Sequence, residues 1–214
     1  NYSLGIQHCN QHGIHFMQAY CQAFAHAFQV PVPLVTNRPM LYLSDEEKSW
    51  LNQVEEHKKY RGRFWLVCAG RKQDFTAKHW GTQNFQRVVD LLRGRITFVQ
   101  VGAAEHHHPR LKGVIDLVGQ TDQRQLMRLC HHADGVLCGV TSLMHLAAAV
   151  PTRTGKGLRP CVVVAGGREP AHWEVYPGHR FLDTIGGLPC CASGGCWKAK
   201  VVPDTPTPFD QICD

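Results

Sequence analysis

Five short apolar runs recur between residues 64 and 165, and helix-like spacing of apolar residues separates them. The runs are 64–69, 96–101, 114–118, 135–138 and 160–165, and the intervening helices are expected at about 82–92, 122–132 and 142–149. Strands that are apolar throughout are buried on both faces, which is typical of a parallel sheet covered by helices. The pattern predicts an α/β fold with a Rossmann-like, doubly wound parallel sheet. In such sheets, ligands bind beyond the carboxyl ends of the strands, where the strand order reverses.

Three segments are expected along the chain. Residues 59–185 carry the sheet, and residues 186–214 form a Cys-rich tail. Residues 1–58 carry a predicted helix over 12–29, a short strand at 41–43 and a second helix to about 58. That second helix opens with Ser44 and Glu47 in capping-box spacing. Because residues 1–10 resemble the middle of a domain and lack an initiator Met, we expect a partial preceding domain and linker, within a longer protein.

Composition limits the function classes. The chain has 214 residues, 43% hydrophobic and 19% charged, with a formal net charge of +6. The basic residues are scattered, without the aromatic interleaving of a nucleic-acid surface, so nucleic acid is not an expected partner. The charge suits an anionic small ligand or peripheral contact with an anionic membrane surface. No apolar run is long enough to span a bilayer and no secretory signal opens the chain, so we expect a cytoplasmic protein, compatible with peripheral contact to the inner membrane.

The turn after the fourth run carries an anion-binding pattern. Thr141 and Ser142 stand between the strand and the helix at 142–149, and either can cap that helix. Free backbone N–H groups and the positive end of the helix dipole attract an anion there. An ordinary capped turn explains the same residues. His145, one turn into the helix, is either a ligand-contacting residue or a packed core histidine.

Two further strand-end loops carry charged residues. In the loop after the first run, Arg71, Lys72 and Lys78 are candidate phosphate ligands, although a solvated loop is the alternative. After the last run, Gly167 allows close backbone approach, and Arg168 and Glu169 are candidates for phosphate and sugar hydroxyls. A tight turn with an ion pair is the alternative there. The triple 106–108 of histidines is not expected to bind a metal, because consecutive side chains cannot all face one ion.

Residues 64–182 resemble the nucleotide-sugar-binding half of the GT-B glycosyltransferases of family 9, the ADP-heptose lipopolysaccharide heptosyltransferases. The resemblance lies in Lys78-His79-Trp80, in Thr141 with His145 and its alanines, and in the loop Gly166–Pro170. It implies that Lys78, Thr141 and Ser142 hold a diphosphate. It also implies that residues 1–58 are the remnant of an N-terminal acceptor domain. The expected partners are an ADP-heptose-like nucleotide sugar and a glycan or protein acceptor.

Two departures from that family are visible. Its usual Asp-Thr-Gly turn reads Val140-Thr141-Ser142 here, and its ribose-binding carboxylate falls near Arg124, with Asp122 as the nearest acid. The inverting transfer implied by the resemblance needs a base, usually Asp, and none is assigned in this chain. No cofactor is expected for the transfer, because cationic side chains and a helix N-terminus neutralise the diphosphate. The alternatives are a non-catalytic interaction module that keeps the fold and a cysteine metal site, and a nucleotide-sugar epimerase.

The tail concentrates cysteines. Cys190, Cys191 and Cys196 lie within seven residues, and Cys213 follows. Four thiolates suit tetrahedral binding of structural zinc or iron, whereas a disulfide or free thiols are the alternatives. Some protein-modifying relatives of the heptosyltransferases carry a four-cysteine iron site, which this tail resembles without matching its spacing.

Overall fold

The structure, a computed structural model, describes residues 13–70 and 78–187, together with 189, 192, 194 and 195. The strands of its sheet are β1 Trp65–Cys68, β2 Phe98–Gln100, β3 Ile115–Asp116, β4 Gly135–Gly139, β5 Cys161–Gly166 and β6 His179–Asp183. They pair in parallel in the order β3-β2-β1-β4-β5-β6. This is the strand order of a Rossmann fold, and it confirms the predicted doubly wound sheet. The order reverses between β1 and β4.

Helices cover both faces of the sheet. They are α1 Phe16–Phe28, α2 Asp45–Ser49, α3 Gln53–Lys58, α4 Thr82–Leu91, α5 Gln123–His132, α6 Ser142–Ala149 and α7 Ala171–Glu174. On one face, Leu129 of α5 and Met144 of α6 pack against buried strand residues such as Leu66. On the other face, Phe85 of α4 packs against Val67. Alternate residues of one strand thus enter two different cores, which explains why the strands are apolar throughout.

The segment before the sheet differs from the prediction at two points. The capping box is confirmed, since the Glu47 backbone N–H donates to Ser44 Oγ at 3.1 Å and the Ser44 backbone N–H donates to the Glu47 carboxylate at 2.8 Å. The helix that it opens ends at Ser49, however, because Trp50 is extended and Asn52 caps a new helix, α3. The strand expected at 41–43 was wrong: this stretch is not a strand, and Leu43 anchors it by packing into the core.

The sequence did not predict the sixth strand. Strand β6 is partly exposed and mixes His, Arg and Asp with Phe181 and Leu182, so it lacks the continuous apolar character of the inner strands. It lies at the edge of the sheet and pairs with β5 alone. The predicted third strand is also shorter than its apolar run. Among the described residues, no helix has the length and apolar character needed to cross a membrane.

Candidate functional site

The N-terminus of α6 lies at the carboxyl end of β4, beside the point where the strand order reverses. Thr141 is its N-cap residue but makes no side-chain capping hydrogen bond. Its hydroxyl instead turns inward, beside the buried thiols of Cys68 and Cys138. Ser142 is exposed. The Met144 N–H donates to the Thr141 oxygen at 3.1 Å. The backbone N–H groups of Ser142 and Leu143 are therefore the ones that can take an anionic ligand.

Lys78 lies next to this helix end. A Cβ atom on Gly139, the last residue of β4, would lie 3.5 Å from the backbone oxygen atoms of both Lys78 and Val164. Lys78, in the connection after β1, thus lies over the end of β4, beside β5. The Lys78 side chain is 24% exposed, and its Nζ lies 3.3 Å from Oε1 of Glu169. The loop after β5 therefore holds the ammonium group of Lys78 beside the crevice between β1 and β4, where the strand order reverses.

Arg168 and Glu169 do not face solvent. Both side chains are 2% exposed, and Arg168 Nε donates to Glu169 Oε1 at 3.1 Å. Gly167, also buried, would place a Cβ 3.5 Å from Thr184 Oγ1. That distance is an ordinary van der Waals contact, so space does not require a glycine at position 167. The buried Arg168–Glu169 pair holds Lys78 through the shared carboxylate. Arg168 and Glu169 would contact a ligand, as predicted, only if the loop after β5 moved.

His145 points from the first turns of α6 towards α7. Its Nδ1 lies 2.8 Å from the Tyr176 hydroxyl, and its Nε2 lies 3.8 Å from the Glu174 carboxylate. Burial lowers the pKa of His145 to about 4, and the positive charge of Lys78 and the nearby His15 act in the same direction. The imidazole is therefore neutral at physiological pH.

Sequence reasoning missed Glu174 and Tyr176, which complete this cluster. The Glu174 side chain is 7% exposed. Burial raises its pKa to about 8, and the Glu169 carboxylate adds to the rise, whereas Lys78 and Arg168 oppose it. Burial also raises the pKa of Tyr176. A single acid between Trp173 and Val175 gives no sequence signal for a buried carboxyl, because the burial comes from the tertiary packing of α7.

Asp122, the acid nearest the position of the family's ribose-binding carboxylate, has a structural role in this protein. Its carboxylate caps α5 by accepting from the Gln125 backbone N–H at 2.8 Å. Arg124 pairs with Glu47 of α2. The Asp122 side chain therefore stabilises the N-terminus of α5, and the Arg124 side chain holds α5 against α2.

Several predicted ligands lie outside the described residues: Arg71, Lys72, Cys190, Cys191, Cys196 and Cys213. Within the described part of the chain, no group of three His, Cys, Asp or Glu side chains is arranged to hold a metal ion. Gly195, which is described, lies so close to the backbone of the Arg168 loop that its Cβ would come within 2.2 Å of the Arg168 oxygen. Gly195 itself thus contacts the loop after β5.

Solved structures share this fold. A family 9 glycosyltransferase from Veillonella parvula aligns with a TM-score of 0.61 and 14% identity, over 80% of this chain and 49% of that protein. The ADP-heptose lipopolysaccharide heptosyltransferase II of E. coli aligns with a TM-score of 0.54 and 21% identity, over 73% of this chain and 48% of that protein. This chain therefore spans about half the length of both proteins. No curated protein is significantly similar in sequence.

The sequence also matches a family model. The model of glycosyltransferase family 9 (heptosyltransferase) matches residues 4–154. This range is more than two thirds of the chain and includes β1 to β4, Lys78 and the N-terminus of α6. The chain belongs to glycosyltransferase family 9.

Proposed function

We propose that this chain is the donor-binding half of a glycosyltransferase that moves a sugar from a nucleoside diphosphate to a glycan or protein acceptor. The observation that carries the proposal is the meeting of Lys78 with the open N-terminus of α6 where the strand order reverses. Both features attract the same kind of ligand, because a lysine ammonium and a helix N-terminus each favour phosphate oxygens.

The same geometry suits the leaving group of a sugar transfer. When an acceptor hydroxyl oxygen bonds to the anomeric carbon, the bond from that carbon to the diphosphate breaks and negative charge accumulates on the diphosphate. Lys78 and the backbone N–H groups of α6 lie where they would stabilise that charge without a metal ion. A displacement of this kind inverts the anomeric configuration. The base that takes the acceptor's proton is assigned to none of the described residues.

The donor we propose is an ADP-heptose-like nucleotide sugar. Membership of family 9 supports a glycosyltransferase. The E. coli protein that shares the fold is named an ADP-heptose heptosyltransferase, which favours heptose as the sugar and ADP as the nucleotide.

The tail cysteines Cys190, Cys191, Cys196 and Cys213 remain a predicted structural zinc or iron site. Elemental analysis of the purified protein tests it, with about one metal atom per chain as the expected result.

Calorimetric titration with ADP, GDP and UDP tests the proposal. We expect ADP to bind most tightly and Lys78→Ala to weaken that binding about tenfold or more, since a hydrogen bond to a charged group contributes about 1.5–3 kcal/mol. Lys156→Ala is the matched control, because Lys156 is exposed in the loop that precedes β5, at the opposite edge of the sheet. Unchanged ADP affinity in Lys78→Ala, or no binding of any of the three nucleotides, would contradict the proposal.

A further inference from the structure

The imidazole of His108 covers two glycines at the carboxyl edge of the sheet. A Cβ atom on Gly70, two residues after β1, would lie 1.9 Å from His108 Nδ1. One on Gly102, two residues after β2, would lie 2.2 Å from His108 Cε1. A side chain at either glycine would occupy the space of the ring. The glycines thus make a place for this histidine beside the reversal of strand order.

Buried hydrogen bonds hold the loop that carries His108. Gln100, at the end of β2, is completely buried. Its Nε2 donates to the Pro109 oxygen at 2.8 Å, and its Oε1 accepts from the Leu111 backbone N–H at 2.9 Å. The Gly119 N–H also donates to the Gly102 oxygen at 2.8 Å. The position of His108 is therefore set by the core of the fold, on both sides of its loop.

His108 keeps an unsatisfied polar atom in this position. Its Nδ1 is buried and has no hydrogen-bond partner among the described residues. An unpaired buried polar atom lowers the stability of a fold, so a hydrogen bond at Nδ1 to the described residues does not explain the position of this ring. Burial lowers the pKa of His108, and the neighbouring His106, His107 and Arg110 act in the same direction, against Glu105. A neutral imidazole presents an aromatic face and is a poor ligand for phosphate.

The described residues on the two sides of Lys78 differ. Towards β5 and β6, the space under the crevice is filled by the buried Arg168, Glu169 and Glu174 side chains. Towards β1 and β2, the strand ends carry glycines, with the His108 ring above them. In a doubly wound sheet, a nucleotide lies across the crevice where the strand order reverses. Here that crevice lies between β1 and β4, so a nucleotide with its diphosphate at the N-terminus of α6, after β4, would extend across the end of β1 towards β2.

We propose that His108 receives the nucleoside of the bound nucleotide, and that its imidazole is the surface against which the ribose and base lie. This inference rests on the proposed function, because it takes Lys78 and the N-terminus of α6 as the position of the diphosphate. Lys78 and the N-terminus of α6 would bind the phosphates, and His108 would contact the nucleoside. A ligand that has phosphates but no nucleoside therefore distinguishes the two groups of residues.

Calorimetric titration with ADP and with inorganic pyrophosphate separates them. We expect His108→Ala to weaken ADP binding about tenfold and to leave pyrophosphate binding unchanged, since a base can stack on an aromatic side chain and pyrophosphate has no base. Lys78→Ala should weaken both ligands. The matched control is His107→Ala, because His107 is the exposed neighbour in the same loop.

A second variant guards against a folding defect. His108→Phe keeps a ring over Gly70 and Gly102, so it should retain ADP affinity within about threefold while His108→Ala loses it. Equal losses for ADP and pyrophosphate in His108→Ala, or no loss for either, would overturn the inference while the proposed function stands. A wild-type protein that binds neither ligand removes both.

Discussion

The ammonium Nζ of Lys78 lies 3.3 Å from Glu169 Oε1, and the same oxygen accepts from Arg168 Nε at 3.1 Å. Lys78 belongs to the connection after β1 and Glu169 to the loop after β5, so the ion pair crosses the end of β4. One buried carboxylate thus fixes two cations beside the N-terminus of α6. The ion pair links the two loops that flank the proposed diphosphate position.

Removing Lys78 should destabilise the protein through Glu169. We expect Lys78→Met to lower the free energy of unfolding by about 1–3 kcal/mol, because a buried carboxylate then loses one of its charged partners. Adding Glu169→Gln to that variant should cost less than Glu169→Gln alone, because the carboxylate has already lost its lysine. Urea unfolding of the two single variants and the double variant measures this coupling.

An exposed ion pair is the control for this prediction. Arg63 Nε lies 2.8 Å from Asp134 Oδ2, but its side chain is 89% exposed. Arg63→Ala should leave the free energy of unfolding nearly unchanged, as is usual for pairs in water. Additive effects of Lys78→Met and Glu169→Gln would contradict the assigned role of Glu169.

Glu174 should make the protein less stable as the pH rises above neutrality. Its pKa is raised to about 8 from an ordinary value of 4.5, so between these values the folded state binds more protons than the unfolded state, and stability falls with rising pH. His145 opposes this at lower pH, because its pKa falls from 6.5 to about 4 and its contribution is gained as the pH rises to 6.5. Other histidines with lowered pKa values, including His132 and His179 at about 4, act in the same direction as His145. The Glu174 effect is therefore measured as the difference from a variant that lacks its carboxyl group.

Between pH 6.5 and 8, the stability of the wild type should therefore fall relative to that of Glu174→Gln. This relative loss is at most about 2 kcal/mol, since one pKa unit corresponds to about 1.36 kcal/mol. Urea unfolding at intervals of half a pH unit measures both profiles. Parallel profiles for the two proteins in this range would show that the Glu174 carboxyl is ionised in the folded state.

Arg159 should be essential for the packing of the segments around α6. It is 3% exposed, and its guanidinium donates to backbone oxygens at 3.0–3.2 Å. The acceptors belong to Ala133, Ala147, Val150 and Pro151. Arg159→Met keeps the apolar stem but leaves these oxygens without their donor, so we expect a loss of about 2–4 kcal/mol by urea unfolding. A loss below 1 kcal/mol would mean that water replaces the guanidinium.

The inner sheet was predictable and the buried charges were not. Strands such as β1 and β4 are apolar on both faces, and their continuous apolar runs can be recognised in the sequence. The break between α2 and α3 depends on Asn52, whose side chain caps the second helix. Lys78 stands out as a cation before a helix, whereas Glu174 acquires its character from the fold around α7. Local patterns reveal elements, but burial of a polar group depends on distant partners.

Gly102 should be intolerant of a side chain because of His108. An alanine there brings its Cβ within 2.2 Å of His108 Cε1, so the ring must move away from the strand ends. Gly102 does not have a positive φ, and the cost is therefore one of space, about 1–3 kcal/mol for overpacking of this kind. Gly102→Ala should also weaken ADP binding. The double variant Gly102→Ala with His108→Ala should recover stability relative to Gly102→Ala, because the clash is absent. Thermal unfolding and ADP titration of all three variants measure both effects, and equal stability of Gly102→Ala and wild type would contradict the placement of the ring.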